Sequence, residues 1–324
     1  MSTNFVPPSL LNNEHLQTIV SSIGLRRALL TRRATELRQS SEEVLIECSD
    51  GERLQGFYNP VVNAKSLVIM IHGWEGSHDS NYMLSCGRAL RDAGHSLFRL
   101  NLRDHGTSHA LNSELFNSTR LQEVVSAVEV IQKRFSHQHY GLIGYSLGGN
   151  FALRVAAQQS QRQFRLDQCI AVCPPISPAN SMLFLEQGAW VYRWYFVRKW
   201  QKSLRIKLTH FPELNYQDAL LKLKSLRDMN GFFVPNFTPF EEPAQYFDGY
   251  SIHADRLAGI ACPTTIFSAA DDPVVPTEDL ELIDAHPLVD IAITQHGGHC
   301  GYLKNLRLDS WIDDQALRIF GSLL

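Results

Sequence analysis

The sequence predicts an α/β protein: a mostly parallel central sheet with helices on both faces and an inserted helical cap. Two observations carry this. Short apolar runs suited to buried strands alternate with helical segments, a pattern that builds parallel βαβ units. The alternation then stops over residues 176–255, which are dense in aromatics and hold no obvious buried strand. With 324 residues the chain is long enough for one large domain. The expected division is an N-terminal helical segment at 1–42, a core at 43–175 and 256–324, and a helical cap at 176–255.

Each element has a local reason. Residues 12–38 look helical and basic, with Arg26, Arg27, Arg32, Arg33 and Arg38 against Glu36. Such a segment reads most simply as a solvated helix face. The runs at 43–48 and 54–58 flank Ser49-Asp50-Gly51, a hairpin signal. Residues 66–71 are continuously apolar, as expected of a central strand covered on both faces. A helix at 81–93 and a strand at 95–100 follow. Leu121, Val124, Val125, Val128 and Ile131 then recur at helical spacing. Residues 139–143 read as a buried strand, 149–157 as a helix, and 168–173 as a strand ended by Pro174-Pro175. Strands at 264–268 and 289–293 and a helix at about 308–322 close the chain.

Composition narrows the function classes. The chain is 44% hydrophobic and 19% charged, the balance of a soluble globular protein. Thirty Lys and Arg stand against 33 Asp and Glu, and a net charge of -3 gives no global pull toward nucleic acid. The six cysteines form no C-x-x-C pair and read as reduced thiols of a cytoplasmic protein. The first eight residues lack a basic start followed by an apolar core, so no secretory signal is expected. No apolar run approaches the roughly 18 residues of a membrane span.

The chemistry centres on Gly144-Tyr145-Ser146-Leu147-Gly148, between an apolar strand and a helix. A serine on such a sharp turn has its hydroxyl exposed at the positive end of the helix. A side chain at either glycine would crowd the turn. The hydroxyl becomes a nucleophile only when a base takes its proton, usually a histidine held by a carboxylate. For this turn the chain order is nucleophile, acid, histidine. Asp271-Asp272-Pro273 follows the strand at 264–268, and Gly297-Gly298-His299-Cys300-Gly301 follows the strand at 289–293. Both loops lie beyond strand C-termini, where parallel sheets place ligands. Asp272 is preferred to Asp271 as the acid, because the inward-pointing carboxylate is expected at the Asp-Pro that opens the loop. His299 is preferred to His296, because its small neighbours let the loop bring the ring to the serine. A tetrahedral intermediate needs backbone donors, and the amides of Leu147 and Trp74 are expected to supply them. His72 reads as a loop-bracing residue, and residues 103–108 as a structural turn near the site. Asp104 and His105, like His78, Asp79 and His109, show no metal-binding spacing, so no metal and no cofactor are expected.

These motifs resemble the α/β-hydrolase superfamily. The residues that carry the resemblance are Gly144 to Gly148, His72-Gly73-Trp74-Glu75-Gly76, Arg103-Asp104-His105-Gly106, Asp272-Pro273 and Gly298-His299, and it covers most of 43–324. Asn13-Glu14-His15-Leu16-Gln17-Thr18 resembles the Asn-Pro-His-Leu-Gln-Thr segment of the YheT-like hydrolases, with Glu14 in place of the usual proline. Those bacterial proteins are related to eukaryotic α/β-hydrolase-domain lipases and esterases. The resemblance implies hydrolysis of carboxylic esters or lipids through a serine acyl-enzyme.

The expected partner is a small-molecule ester with an apolar acyl part held under the cap. An acyltransferase would use the same acyl-enzyme with an alcohol or thiol acceptor. A non-catalytic binding protein is disfavoured, because all three positions of the triad are filled. Residues 188–210 carry six Lys or Arg, no acid, and six Trp, Tyr or Phe. They read either as a cap helix with its aromatics on the core or as a helix in peripheral contact with a membrane. Nucleic-acid binding is excluded, because the positive charge is local and no binding motif accompanies it.

Overall fold

The computed structural model describes residues 4–49 and 51–324. Asp50 of the expected hairpin turn, and Met1, Ser2 and Thr3, lie outside the described residues. Eight strands form one sheet: β1 (Glu42–Glu47), β2 (Arg53–Asn59), β3 (Ser66–Ile71), β4 (Ser96–Asn101), β5 (His139–Tyr145), β6 (Gln168–Val172), β7 (Thr264–Ala269) and β8 (Val289–Thr294). Their order is β1-β2-β4-β3-β5-β6-β7-β8. β2 pairs antiparallel with β1 and β4, and every other pairing is parallel.

The helices follow in chain order. The N-terminal segment holds α1 (Glu14–Ser22), α2 (Leu25–Arg33) and α3 (Thr35–Gln39). Next come α4 (Asn81–Asp92), α5 (Leu121–Arg134) and α6 (Leu147–Ala156). Between β6 and β7 lie α7 (Pro178–Gln187), α8 (Trp190–His210), α9 (Gln217–Lys222), α10 (Leu226–Phe237) and α11 (Pro243–Asp248), and α12 (Trp311–Phe320) ends the chain.

The alternation of side chains along a strand sorts these helices onto two faces. Leu67, Ile69 and Ile71 of β3 pack with Val124, Val128 and Ile131 of α5 and with Phe151 of α6. Val68 and Met70 point the other way, toward Met83 and Leu90 of α4 and Ile312 and Phe320 of α12. Both faces of β3, β4 and β7 are buried; β3 reads as a continuous apolar run for that reason, whereas β4 also buries Arg99 and Asn101 and β7 buries Thr264, Thr265 and Ser268.

Two local expectations shift. β5 runs to Tyr145 and α6 begins at Leu147, so Ser146 alone separates strand from helix. The basic face of the N-terminal segment is not simply solvated. Arg26 is buried and donates to the carbonyls of Leu308 and Ser21, at 3.0 Å each. Arg33 pairs with Asp309, and Arg27 and Arg38 converge on Asp79. These guanidinium groups satisfy backbone and carboxylate acceptors of the core.

The turn after β4 holds the deepest ion pair. Arg103 is fully buried and donates to Glu123 Oε2 from Nε at 3.0 Å and from Nη2 at 2.7 Å. Glu52 lies 2.5 Å from the same Nη2. Removing one partner of a buried pair strands a charge, at a cost of about 3–5 kcal/mol. Glu123→Ala should therefore lower the free energy of unfolding in urea by about 3 kcal/mol; an unchanged midpoint would show that Glu52 alone compensates Arg103.

Candidate active site

The Ser146 turn is made by close backbone approach. Ser146 sits at φ 53° and ψ -122°, a left-handed conformation rare for a residue with a side chain. A Cβ on Gly144 would lie 2.0 Å from the Gly148 carbonyl oxygen, and one on Gly148 would lie 2.4 Å from the carbonyls of Ile71 and His72. Only glycine fits at either position. The Ser146 N–H donates to Val172 O at 2.7 Å, which ties the turn to the end of β6.

Three side chains meet there. His299 Nε2 lies 2.8 Å from Ser146 Oγ, and His299 Nδ1 lies 2.8 Å from Asp272 Oδ2. A carboxylate only accepts, so in the neutral ring Nδ1 carries the hydrogen and Nε2 accepts from the serine hydroxyl. The other oxygen of Asp272 accepts from the amides of Val274 and Val275 at 2.8 and 3.0 Å. Burial alone would lower the His299 pKa. The Asp272 carboxylate, joined by Cys300, outweighs burial and lifts it to about 9. Asp271 and His296 form a separate pair at 3.2 Å, and Asp271 Oδ1 accepts from the Gly298 amide at 2.9 Å. Asp271 is thus an anchor of the histidine loop rather than a solvated turn residue.

The rim of the site is strained. Of ten non-glycine residues with positive φ among the described residues, seven lie in loops that follow the strands at this end of the sheet: Glu75, Asp104, Ser146, Cys173, Cys300, Tyr302 and Leu308. Such residues cost about 1–3 kcal/mol each and persist where the surroundings over-determine them. His72 fastens one of these loops. It accepts from the Leu102 amide at Nε2 (3.1 Å) and donates from Nδ1 to Gly73 O (2.7 Å). Burial, with His105 nearby, holds its pKa well below the usual value. Asp104 is bound by Lys207 of α8 at 2.7 Å, a buried pair that pins α8 to the loop after β4.

The amides of Trp74 and Leu147 donate to no other group of the described chain. Both residues border an apolar cavity of about 120 Å³ that Ser146 also lines, with Met182, Leu185, Phe196 and Val275. On its other side Ser146 borders a larger, more polar cleft of about 500 Å³, with Ser77, Asp79, Lys199 and Lys202. α8 divides these spaces: Phe196 stacks on the Trp74 ring at 5.3 Å and 11°, and Trp200 meets it edge-on at 5.3 Å. The aromatic, basic stretch at 188–210 therefore serves two faces. Tyr192 is buried and Phe196 packs on the core, whereas Trp190 and Trp194 are 68% and 49% exposed.

The residues weighed as metal ligands are committed elsewhere. His105 Nδ1 bonds Arg103 O, His109 Nε2 bonds Ser203, His78 bonds Asn101, and Asp79 is shared by two arginines. Cys173, His299 and Cys300 place ligand atoms within 4.8 Å of one another, but both nitrogens of His299 already face Asp272 and Ser146. Reading the sequence missed Thr18, whose Oγ1 accepts from the His299 amide at 2.9 Å, and Lys207 beneath Asp104. The unusual segment Asn13 to Thr18 was the available signal for the first. Nothing local marks the second.

A family model described as the alpha/beta hydrolase fold matches residues 66–306, and the chain belongs to that family. Its likeness over nearly the whole length is to the YheT-like group. It is 24% identical over 323 residues to the protein named "Putative esterase YheT" of Escherichia coli, across 97% of this chain and 92% of that protein. It is 23% identical over 268 residues to a monoacylglycerol lipase of Saccharomyces cerevisiae, across 79% of this chain and 59% of the yeast protein. Among solved structures, an esterase of Pyrococcus furiosus shares the fold with a TM-score of 0.59 at 15% identity, covering 87% of this chain and 91% of that one.

The electrostatics of His299 make a signed prediction. Its folded pKa lies above the unfolded value near 6.5, so the stabilisation it gains is full below that pH and is lost as pH rises through about 9. Titration followed by NMR should place the midpoint of the ring well above 6.5. In Asp272→Asn burial takes over and the midpoint should fall below 6.5; an unmoved midpoint would remove Asp272 as the cause.

Proposed function

We propose that this protein is a serine hydrolase that cleaves carboxylic esters with an apolar acyl part through an acyl-enzyme on Ser146. The observation that carries the reading is the continuous hydrogen-bonded line Ser146–His299–Asp272, set where an apolar cavity meets a polar cleft. Likeness to proteins named as an esterase and a monoacylglycerol lipase supports the same chemistry.

In this reading Ser146 Oγ attacks the ester carbonyl while His299 Nε2 takes its proton. Asp272 keeps Nδ1 protonated and stabilises the imidazolium that forms. The oxyanion is held by the amides of Trp74 and Leu147, the latter at the positive end of α6. The intermediate collapses, His299 returns the proton to the departing alkoxide, and an alcohol leaves. Water then gives its proton to His299 and attacks the acyl carbon, and the second collapse frees the acid and restores Ser146.

The geometry suits an asymmetric substrate. Met182, Leu185, Phe196 and Val275 would surround the acyl chain, and the polar cleft would take the alcohol part. Residues 176–255 act as the cap, with α8 closing over Trp74. Because the base must be neutral, kcat/KM should rise with pH until His299 has lost its proton.

A p-nitrophenyl ester series of rising acyl length tests this reading. The native protein should hydrolyse the series with an optimum set by the apolar cavity. Ser146→Ala should lose activity by roughly 10⁴-fold or more, as when the nucleophile of a triad is removed. Equal activity in the two proteins would place the chemistry elsewhere.

A further inference from the structure

The segment Asn13-Glu14-His15-Leu16-Gln17-Thr18 has no part in the mechanism above, yet almost every polar group in it is used. Asn13 caps α1, its side chain accepting from the amides of His15 and Leu16 at 3.0 Å each. Glu14 stands at the first helical position. Proline is favoured there for its fixed φ, and an acid is favoured for its charge at the positive end of the helix. The Glu14 carbonyl accepts the Thr18 hydroxyl at 2.7 Å. That bond directs the Thr18 hydrogen back along the helix and leaves an oxygen lone pair for the His299 amide, 2.9 Å away and 281 residues later in the chain.

Gln17 grips the same loop four residues on. It is fully buried, its Oε1 accepting from the Leu303 amide at 2.6 Å and its Nε2 donating to Leu303 O at 3.2 Å and Leu11 O at 2.9 Å. The loop lies directly against α1: a Cβ on Gly301 would sit 2.4 Å from the Gln17 carbonyl oxygen. The face of α1 that carries Thr18 also reaches α8, where His15 Nδ1 lies 2.8 Å from the Tyr192 hydroxyl, which interacts with the Thr18 side chain as well. One turn further along α8, Phe196 stacks on Trp74. A single short helix therefore touches both the histidine loop and the helix that seats one expected oxyanion donor.

We propose that α1 is a positioning element of the site, with Thr18 setting the backbone of His299, and through it the imidazole, against Ser146. This rests on the proposed Ser146 mechanism. Thr18 touches neither substrate nor reacting atoms and acts through His299. The loop needs such a support because His299 is followed by two residues at positive φ, Cys300 and Tyr302, a backbone that relaxes unless held. Side chains from outside the loop take up its amides in turn: Asp271 that of Gly298, Thr18 that of His299, and Gln17 that of Leu303.

The test compares the native protein with Thr18→Val, which keeps the side-chain shape and removes the acceptor, and Thr18→Ser, which keeps the acceptor. With a p-nitrophenyl ester, Thr18→Val should lower kcat by roughly 10- to 100-fold, the scale of a small misplacement of a reacting group, and leave KM within about twofold. The low-field proton resonance of the His299 Nδ1–H held by Asp272 should weaken in parallel. Thr18→Ser should restore both. Thr18→Ala, which also lacks the hydroxyl, takes the place of the valine variant if that protein does not fold. Native kcat and an unchanged resonance in the variants without the hydroxyl, or equal impairment in Thr18→Ser, would overturn the inference. The resonance is read without any ester. A native protein that shows it but cleaves no ester would count against the proposed function alone, and Thr18 would still be judged by the spectrum.

Discussion

The structure depends on one backbone constraint, the left-handed turn at Ser146 between β5 and α6. The chain must reverse within a single residue, and it does so by pressing Gly148 onto the carbonyls at the end of β3 and Gly144 onto Gly148 itself. β5 pairs with β3 on one side and β6 on the other, so both neighbouring strands resist relaxation of the turn. The conformation puts the serine hydroxyl outside the sheet and starts a fully buried helix immediately behind it. The helix dipole, the free Leu147 amide and the cleft-facing, half-buried hydroxyl therefore share one origin.

The remaining groups converge on this turn from distant parts of the chain. The loops after β7 and β8 bring Asp272 and His299, and the interaction that matters between them is electrostatic: a buried carboxylate charge that outweighs the desolvation of the ring. The loop after β3 brings Trp74, whose indole is clamped by Phe196 and Trp200 of α8. α8 is in turn anchored by Lys207, whose ammonium is taken up by Asp104 and by the carbonyls of Asn112 and Glu114. Strain at the rim is thus matched by buried polar contacts just outside it.

Much of this was legible in the sequence, for a physical reason. The central strand β3 is covered on both faces, so 66–71 stands out as a continuous apolar run. The Ser146 turn needs glycines at fixed offsets, and the loops of Asp272 and His299 follow strands in the order the turn requires. What was not legible depends on contacts between residues far apart. Thr18 and His299 are separated by 281 positions, and Lys207 and Asp104 by 103, and neither pair leaves a local periodicity. The arginines of α2 read as a solvated face because their acceptors, Leu308, Asp309 and Asp79, are named only by the fold. Residues 188–210 mix aromatic and basic side chains with weak amphipathic order, since α8 buries Tyr192 and Lys207 while exposing Trp190 and Trp194.

The measurement that bears most directly on the account is covalent labelling of the native protein with a fluorophosphonate, followed by mapping of the adduct by mass spectrometry. The account predicts a single adduct on Ser146, formed slowly or not at all in His299→Ala, because the hydroxyl there has lost its base. An unlabelled native protein, or an adduct on another residue that persists in Ser146→Ala, would contradict it.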